Sequence, residues 1–296
     1  MQEQWMYLQG KMVRCEEAQI SPYDHGFLYG HSLFETMRVY KGKVFSLDKH
    51  LRRLEEGSMV LGWSEWFDAK ALSSAVEQTI EKNKLQNASL RLTVSRGIGA
   101  SRPEPKTCSQ VTVAVFAAPY QSLSKDTYEQ GWNLATVSIR RNVTSPLCKI
   151  KAGNYLDNIL GKAEAQGKDA NEALFLNTKG TIAEGTMCNV FFVKDGRLIT
   201  PDINSGLLPG ITRAIVLKLA AKAGIVIEER SVHPEELVGI NEMFITSSLL
   251  EIMPVTRLDQ QTIHDGRPGE ITELLQRKYK ELVKSFINNK GGKSAL

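Results

Sequence analysis

The chain has 296 residues, 42% hydrophobic and 24% charged, with a formal net charge of +4. That length supports a sizeable core and two ordinary domains. The small charge and the lack of any block of five or more like charges argue against a dedicated nucleic-acid binder. No apolar run approaches the roughly 18 residues that a membrane span needs. Cys15, Cys108, Cys148 and Cys188 form no C-x-x-C pair, which fits reduced thiols rather than a zinc or redox motif. The five histidines have no metal spacing, His25 and His31 being six apart. The opening MQEQWMYLQGKMVR lacks the apolar core of a signal peptide. No metal, nucleic acid or membrane partner is expected, and the expected location is the cytoplasm.

In chain order, Leu47, Leu51 and Leu54 predict a helix over 46–61, and Leu72, Ala75, Val76, Thr79 and Ile80 predict one over 70–82. The period then changes to two: Leu90, Leu92 and Val94 alternate with polar residues, as do Val111, Val113 and Val115, predicting strands of one sheet. The polar stretch 119–125 is the expected linker between a small domain (1–118) and a large one (126–296). Beyond it come a strand at 132–139 and a helix over 154–165 with Tyr155, Leu156, Ile159, Leu160 and Ala163 on one face. Strands broken by the turns 178–180 and 194–196 follow. A helix from about Ile211 to Ala223 precedes strands at 225–228 and 242–246. Ile271, Leu274, Leu275, Tyr279, Leu282, Val283 and Phe286 mark a final amphipathic helix, followed by a tail that reads as frayed. The fold class is therefore mixed α/β.

Three features have chemical potential. In LLPGITRAIV (207–216), Pro209-Gly210 precedes a helix start whose unsatisfied N–H groups and Thr212 hydroxyl suit an anion, although most such junctions bind nothing. Lys149 and Lys151 lie between a predicted strand and helix. A lysine in a dry site can form a Schiff base, but two solvated surface lysines give the same pattern, and strand alternation does not choose between residues two apart. Glu184, before Gly185, is a carboxylate able to pair with a ring nitrogen, or an ordinary turn residue.

These features recur in one order with other stretches: SPYDHGFLYGHSLFETMRVY (21–40), LDKHLRRL (47–54), KAGNYLDNILGKAEA (151–165), EALFLNTKGTIAEGTMCNVF (172–191), GLLPGITR (206–213) and ITSSLLEIMPV (245–255). Together they resemble the fold-type IV pyridoxal-phosphate enzymes, which include branched-chain and D-amino-acid aminotransferases and aminodeoxychorismate lyases. The resemblance implies a two-domain α/β fold, pyridoxal 5'-phosphate (PLP) as cofactor, and a homodimer. It implies that Lys151, three residues before Asn154, is the Schiff-base lysine and that Glu184 pairs with the pyridine nitrogen. Arg53, Ile211, Thr212 and Ser248 match the phosphate set, with Ser248 where many relatives have threonine. Tyr155 matches a partner of the phenolic oxygen, and Phe34 an aromatic near the substrate.

Within the family, the FET stretch at 34–36 and the segments 137–142 and 247–256 resemble the lyases of folate biosynthesis, which give 4-aminobenzoate and pyruvate. Thr36 is then the expected proton donor to the leaving group. Glu104, where D-amino-acid enzymes keep a histidine beside Arg102, counts against that branch. Arg96 and Arg102 are the expected candidates for a substrate carboxylate. Transamination of branched-chain or D-amino acids is the alternative. A non-catalytic PLP-binding protein and a cofactor-free structural protein are remoter ones.

Overall fold

The structure is a computed structural model and describes residues 4–289. Of the tail 288–296, expected to be frayed, Asn288 ends the last helix and residues from 290 onward lie outside the described residues. The chain divides into two units, one comprising residues up to Gln121 with the short stretch Ile150–Asn154, the other Ser122–Lys149 and Tyr155–Asn288.

The first unit runs through β1 (Trp5–Leu8), β2 (Lys11–Arg14), α1 (His25–Tyr29), β3 (Ser32–Tyr40), β4 (Lys43–Val44), α2 (Leu47–Val60), α3 (Ala69–Lys82), β5 (Asn87–Ser95) and β6 (Thr112–Pro119). Its strands form one antiparallel sheet in the order β2-β1-β6-β5-β3-β4. The alternation seen in the sequence is the sheet's two-sidedness: Leu90 and Leu92 of β5 and Leu33 and Met37 of β3 bury against Leu51 and Leu54 of α2 and Leu72 and Val76 of α3. Each such side chain contributes about 2 kcal/mol on burial. Asp68 starts α3 by accepting hydrogen bonds from the N–H groups of Lys70 and Ala71. Gly57 lets α2 approach β3 closely, since a Cβ there would sit 3.1 Å from Leu33.

That approach brings α2 onto a buried carboxylate. Glu35 of β3 is fully buried. Arg53 donates to it from Nε (2.8 Å) and Nη2 (2.6 Å), and the His50 ring nitrogen Nδ1 lies 2.6 Å from Oε2. Burial alone would raise the Glu35 pKa, but the Arg53 charge and then His50 outweigh it and hold the group at about 2. Burial pushes the His50 pKa down, against the upward pull of Glu35.

The second unit contains α4 (Lys125–Gln130), β7 (Trp132–Arg141), α5 (Leu156–Gly167), β8 (Glu172–Asn177), β9 (Asn189–Lys194), β10 (Arg197–Pro201), α6 (Ile211–Lys222), β11 (Ile227–Arg230), β12 (Glu242–Ser247), β13 (Glu251–Leu258), β14 (Gln261–Thr262) and α7 (Glu270–Asn288). Its sheet runs β11-β10-β9-β12-β13-β7-β8, with β14 beside β13. The β10–β11, β13–β7 and β7–β8 pairs are parallel. The predicted face of α7 is its buried face, through Leu275, Tyr279, Leu282, Val283 and Phe286. Buried Glu242 of β12 caps that helix, accepting from the N–H groups of Ile271 and Thr272 and from the Thr272 hydroxyl.

Helix α5 departs from the amphipathic pattern. It begins at Leu156 and buries Asn158, Gly161 and Ala165. Leu156, Ile159 and Leu160 are 65%, 61% and 50% exposed. The cause is close packing: a Cβ on Gly161 would lie 2.4 Å from the Phe175 ring, so the helix face against β8 must be small.

The buried Glu35 cluster makes stability depend on pH. The Glu35 pKa falls from 4.5 to about 2 on folding, so its contribution, about 3 kcal/mol, is present above pH 4.5 and lost as pH falls toward 2. His50, lowered from 6.5, contributes in the same direction, losing stability as pH drops below 6.5. Denaturant unfolding at pH 5 and pH 2 should show a Glu35→Gln variant losing less stability than wild type. Equal losses would contradict the linkage.

Candidate active site

The backbone sets Lys149 and Lys151 in different surroundings. Lys149 ends a 3-10 turn (Pro146–Lys149) and is exposed. The next residues alternate as a strand, with Ile150 and Ala152 in the first unit's core. They pair with β3: the Phe34 N–H donates to the Lys151 carbonyl at 2.9 Å, and the Gly153 N–H to the Ser32 carbonyl at 2.7 Å. Gly153 is required, because a Cβ would lie 2.2 Å from the Ser32 hydroxyl. The half-buried Lys151 side chain is left on the face away from that core, with Nζ 4.5 Å from the Phe34 ring centroid.

Phe34 and Thr36 share a face of β3 by strand alternation. In register, Thr36 lies opposite Arg91 of β5. The Arg91 guanidinium sits 3.7 Å from the Phe34 ring centroid, and its Nε donates to the Thr93 hydroxyl. Lys151, Phe34, Thr36 and Arg91 thus form one cluster. Arg91 was missed in the sequence because it reads as the polar member of the Leu90-Arg91-Leu92 alternation. Arg53, the other expected cofactor residue of this unit, is held by Glu35 as described above.

Glu184 is buried in the second unit, in a segment that runs back antiparallel beside β8. Its Oε1 lies 3.3 Å from Arg141 Nη2, and its Oε2 accepts from the Leu208 N–H at 3.1 Å. Arg141 also donates to Asn158 Oδ1 and lies over the Phe175 ring. The carboxylate is therefore fixed at both oxygens. Arg141 is a second residue unnoticed in the sequence, where it sits in the adjacent pair Arg140-Arg141.

The Leu208 loop leads into α6. Gly210 occupies the N-cap with no side-chain cap, so the amides at the helix start, at Ile211 and Thr212, have no side-chain acceptor from the cap residue. A Cβ on Gly210 would overlap Asn189 Oδ1 at 1.9 Å, and Asn189 Nδ2 donates to the Leu208 carbonyl. Opposite Asn189 in register is Thr246, 1% exposed, whose hydroxyl has no hydrogen-bond partner among the described residues. An uncapped helix start beside an orphaned hydroxyl is suited to an anion. Ser248 follows in the turn after β12, and Tyr155 is the N-cap of α5.

Arg96 and Arg102, the two expected substrate residues, both follow β5. Arg96 is buried with its guanidinium toward Trp66, 5.5 Å from the ring centroid. Arg102 is exposed and ion-paired with Glu104 at 2.6 Å. Burial pushes the thiols of Cys148 and Cys188 up, which disfavours them as nucleophiles.

Residues 32–258 match the family model for amino-transferase class IV. A putative branched-chain-amino-acid aminotransferase of Methanocaldococcus jannaschii is 37% identical over 94% of this chain and 96% of its own length. An aminodeoxychorismate lyase of Bacillus subtilis is 32% identical over 98% of both. Among solved structures, the branched-chain amino acid aminotransferase of Escherichia coli superposes with a TM-score of 0.90 at 31% identity, over 95% of both chains. Other branched-chain aminotransferases similar to this chain were solved with pyridoxamine 5'-phosphate or in a PLP form. Within the second unit, the orphaned hydroxyl by the α6 start suits a phosphate and the fixed carboxylate of Glu184 a ring nitrogen; within the first, the Lys151 amine suits an aldehyde. The chain is a member of the class IV aminotransferase family, a mixed α/β enzyme family of fold type IV whose cofactor is PLP.

Proposed function

We propose that this enzyme is a 4-amino-4-deoxychorismate lyase, releasing pyruvate and 4-aminobenzoate for folate synthesis. The observation that carries the reading is Thr36: its hydroxyl-bearing side chain shares the β3 face with Phe34, against which the Lys151 amine lies. That gives the face a neutral proton donor. The full-length similarity to a lyase supports it.

Lys151 holds the cofactor. Glu184 meets the ring nitrogen and Tyr155 the phenolic oxygen, while Arg53, Ile211, Thr212 and Ser248 take the phosphate. When bound, PLP supplies an electron sink for negative charge at the carbon bearing the substrate nitrogen. The Lys151 amine removes the proton from that carbon. Arg141 and the Leu208 N–H keep Glu184 in place. Arg91, rather than Arg96 or Arg102, binds a substrate carboxylate, since Arg96 turns to Trp66 and Arg102 is paired with Glu104. The Thr36 hydroxyl protonates the departing enolpyruvyl group, and Phe34 walls the substrate.

Branched-chain transamination is the second reading, favoured by the 37% identity to the archaeal protein. The Arg102–Glu104 pair disfavours binding of a D-amino-acid carboxylate in that loop. No helix among the described residues is long and apolar enough to cross a membrane, and we assign the enzyme to the cytoplasm. The exposed Leu156, Ile159 and Leu160 of α5 support a homodimer, because exposed apolar stripes commonly mark interfaces.

A paired assay should give 4-aminobenzoate and pyruvate from aminodeoxychorismate, and little turnover of branched-chain L-amino acids or D-alanine with 2-oxoglutarate. The reverse result would make the enzyme a transaminase. Thr36→Val should lower lyase turnover about 100-fold or more while the visible absorbance of bound cofactor persists; unchanged turnover sinks the role of Thr36. In light scattering, wild type should have the mass of two chains and Ile159→Glu that of one. A wild-type monomer would remove the dimer.

A further inference from the structure

Glu35 lies between Phe34 and Thr36, yet it points the other way, into the helix-covered side of the sheet. There it is fully buried and receives three contacts, two from Arg53 and one from His50. A buried ion pair is seldom kept for stability, since well-packed apolar residues of similar volume often do as well or better. Its geometry indicates another role. A long arginine side chain has many rotamers, and paired bonds from Nε and Nη2 to one carboxylate fix both the plane and the direction of its guanidinium. Gly57 holds α2 close enough for this, and the His50 ring anchors the second carboxylate oxygen.

The strand adds a further consequence. The Phe34 N–H holds the Lys151 carbonyl, and the next residue, Glu35, holds Arg53. Two neighbouring residues of β3 thus set the positions of the lysine and the arginine.

We propose that Glu35 is a positioning residue that presents Arg53 to the cofactor phosphate, with His50 steadying Glu35. This rests on the reading of Arg53 as a phosphate ligand. Glu35 touches neither substrate nor cofactor; it acts through Arg53, and its loss should be felt only by ligands that carry the phosphate.

The test uses protein stripped of cofactor and titrated with PLP or with pyridoxal, which lacks the phosphate, following intrinsic fluorescence and the visible band. Folding of each variant is checked by circular dichroism. Glu35→Gln should weaken PLP binding about 10- to 100-fold, the range carried by outer-shell partners in metal sites, and leave pyridoxal binding unchanged. Arg53→Gln should weaken PLP selectively by at least as much, and the double variant should bind no worse than Arg53→Gln alone. If Arg53→Gln weakens PLP and folded Glu35→Gln does not, the positioning role is overturned while Arg53 stands. If Arg53→Gln binds PLP like wild type, the phosphate reading itself fails and takes the proposal with it. Equal weakening of PLP and pyridoxal by Glu35→Gln would mean a merely structural role and would also overturn it. Should Glu35→Gln not fold, His50→Leu keeps both Arg53 bonds and should weaken PLP alone about 2- to 10-fold; wild-type affinity there would overturn the proposal.

Discussion

The site depends on a short backbone pairing between residues 151–153 and the start of β3. Two hydrogen bonds, from Phe34 N–H to Lys151 and from Gly153 N–H to Ser32, make the lysine segment an extra piece of the first unit's sheet. Ile150 and Ala152 then bury, and alternation alone turns Lys151 to the other side. A lysine amine close to one aromatic ring follows from strand periodicity and a glycine that admits close approach, with no special device at the lysine itself.

Buried carboxylates are the second organising feature. Glu35, Glu184 and Glu242 are each removed from water, and each is met at both oxygens by donors. A buried charge left short of partners is expensive, so each carboxylate fixes the elements that supply its donors: α2 to β3, the loop before α6 to Glu184, and α7 to β12. At Glu35 this arrangement makes acid disruptive, because the Arg53 and His50 contacts favour the ionised carboxylate.

Much of this was legible in the sequence. The period-two runs gave β5 and much of β6, and the apolar spacing gave α2, α3 and α7 with their buried faces. The ordered motifs pointed to the family. What was not legible shares a cause: the pattern shows which residues are apolar, not which neighbours they meet. Helix α5 looked amphipathic, yet its apolar side stays exposed, because Phe175 demands Gly161 on the packed side. Arg91 looked like the solvent half of a strand until its register opposite Thr36 was seen. Glu35 and Thr246 carry no local signal, since their meaning comes from α2 and from the start of α6, distant in the chain. The Trp66 ring 5.5 Å from the Arg96 guanidinium is likewise a neighbour that the local pattern does not show.

The proposed role of Lys151, rather than Lys149, as the cofactor lysine is open to a chemical test. Borohydride reduction of the PLP-loaded enzyme, followed by proteolysis and mass spectrometry, tests it directly by fixing the cofactor to the amine that carries it. The added pyridoxyl mass is expected on Lys151 alone, lost in Lys151→Ala and retained in Lys149→Ala. Label on Lys149, or on no lysine of this segment, would contradict it.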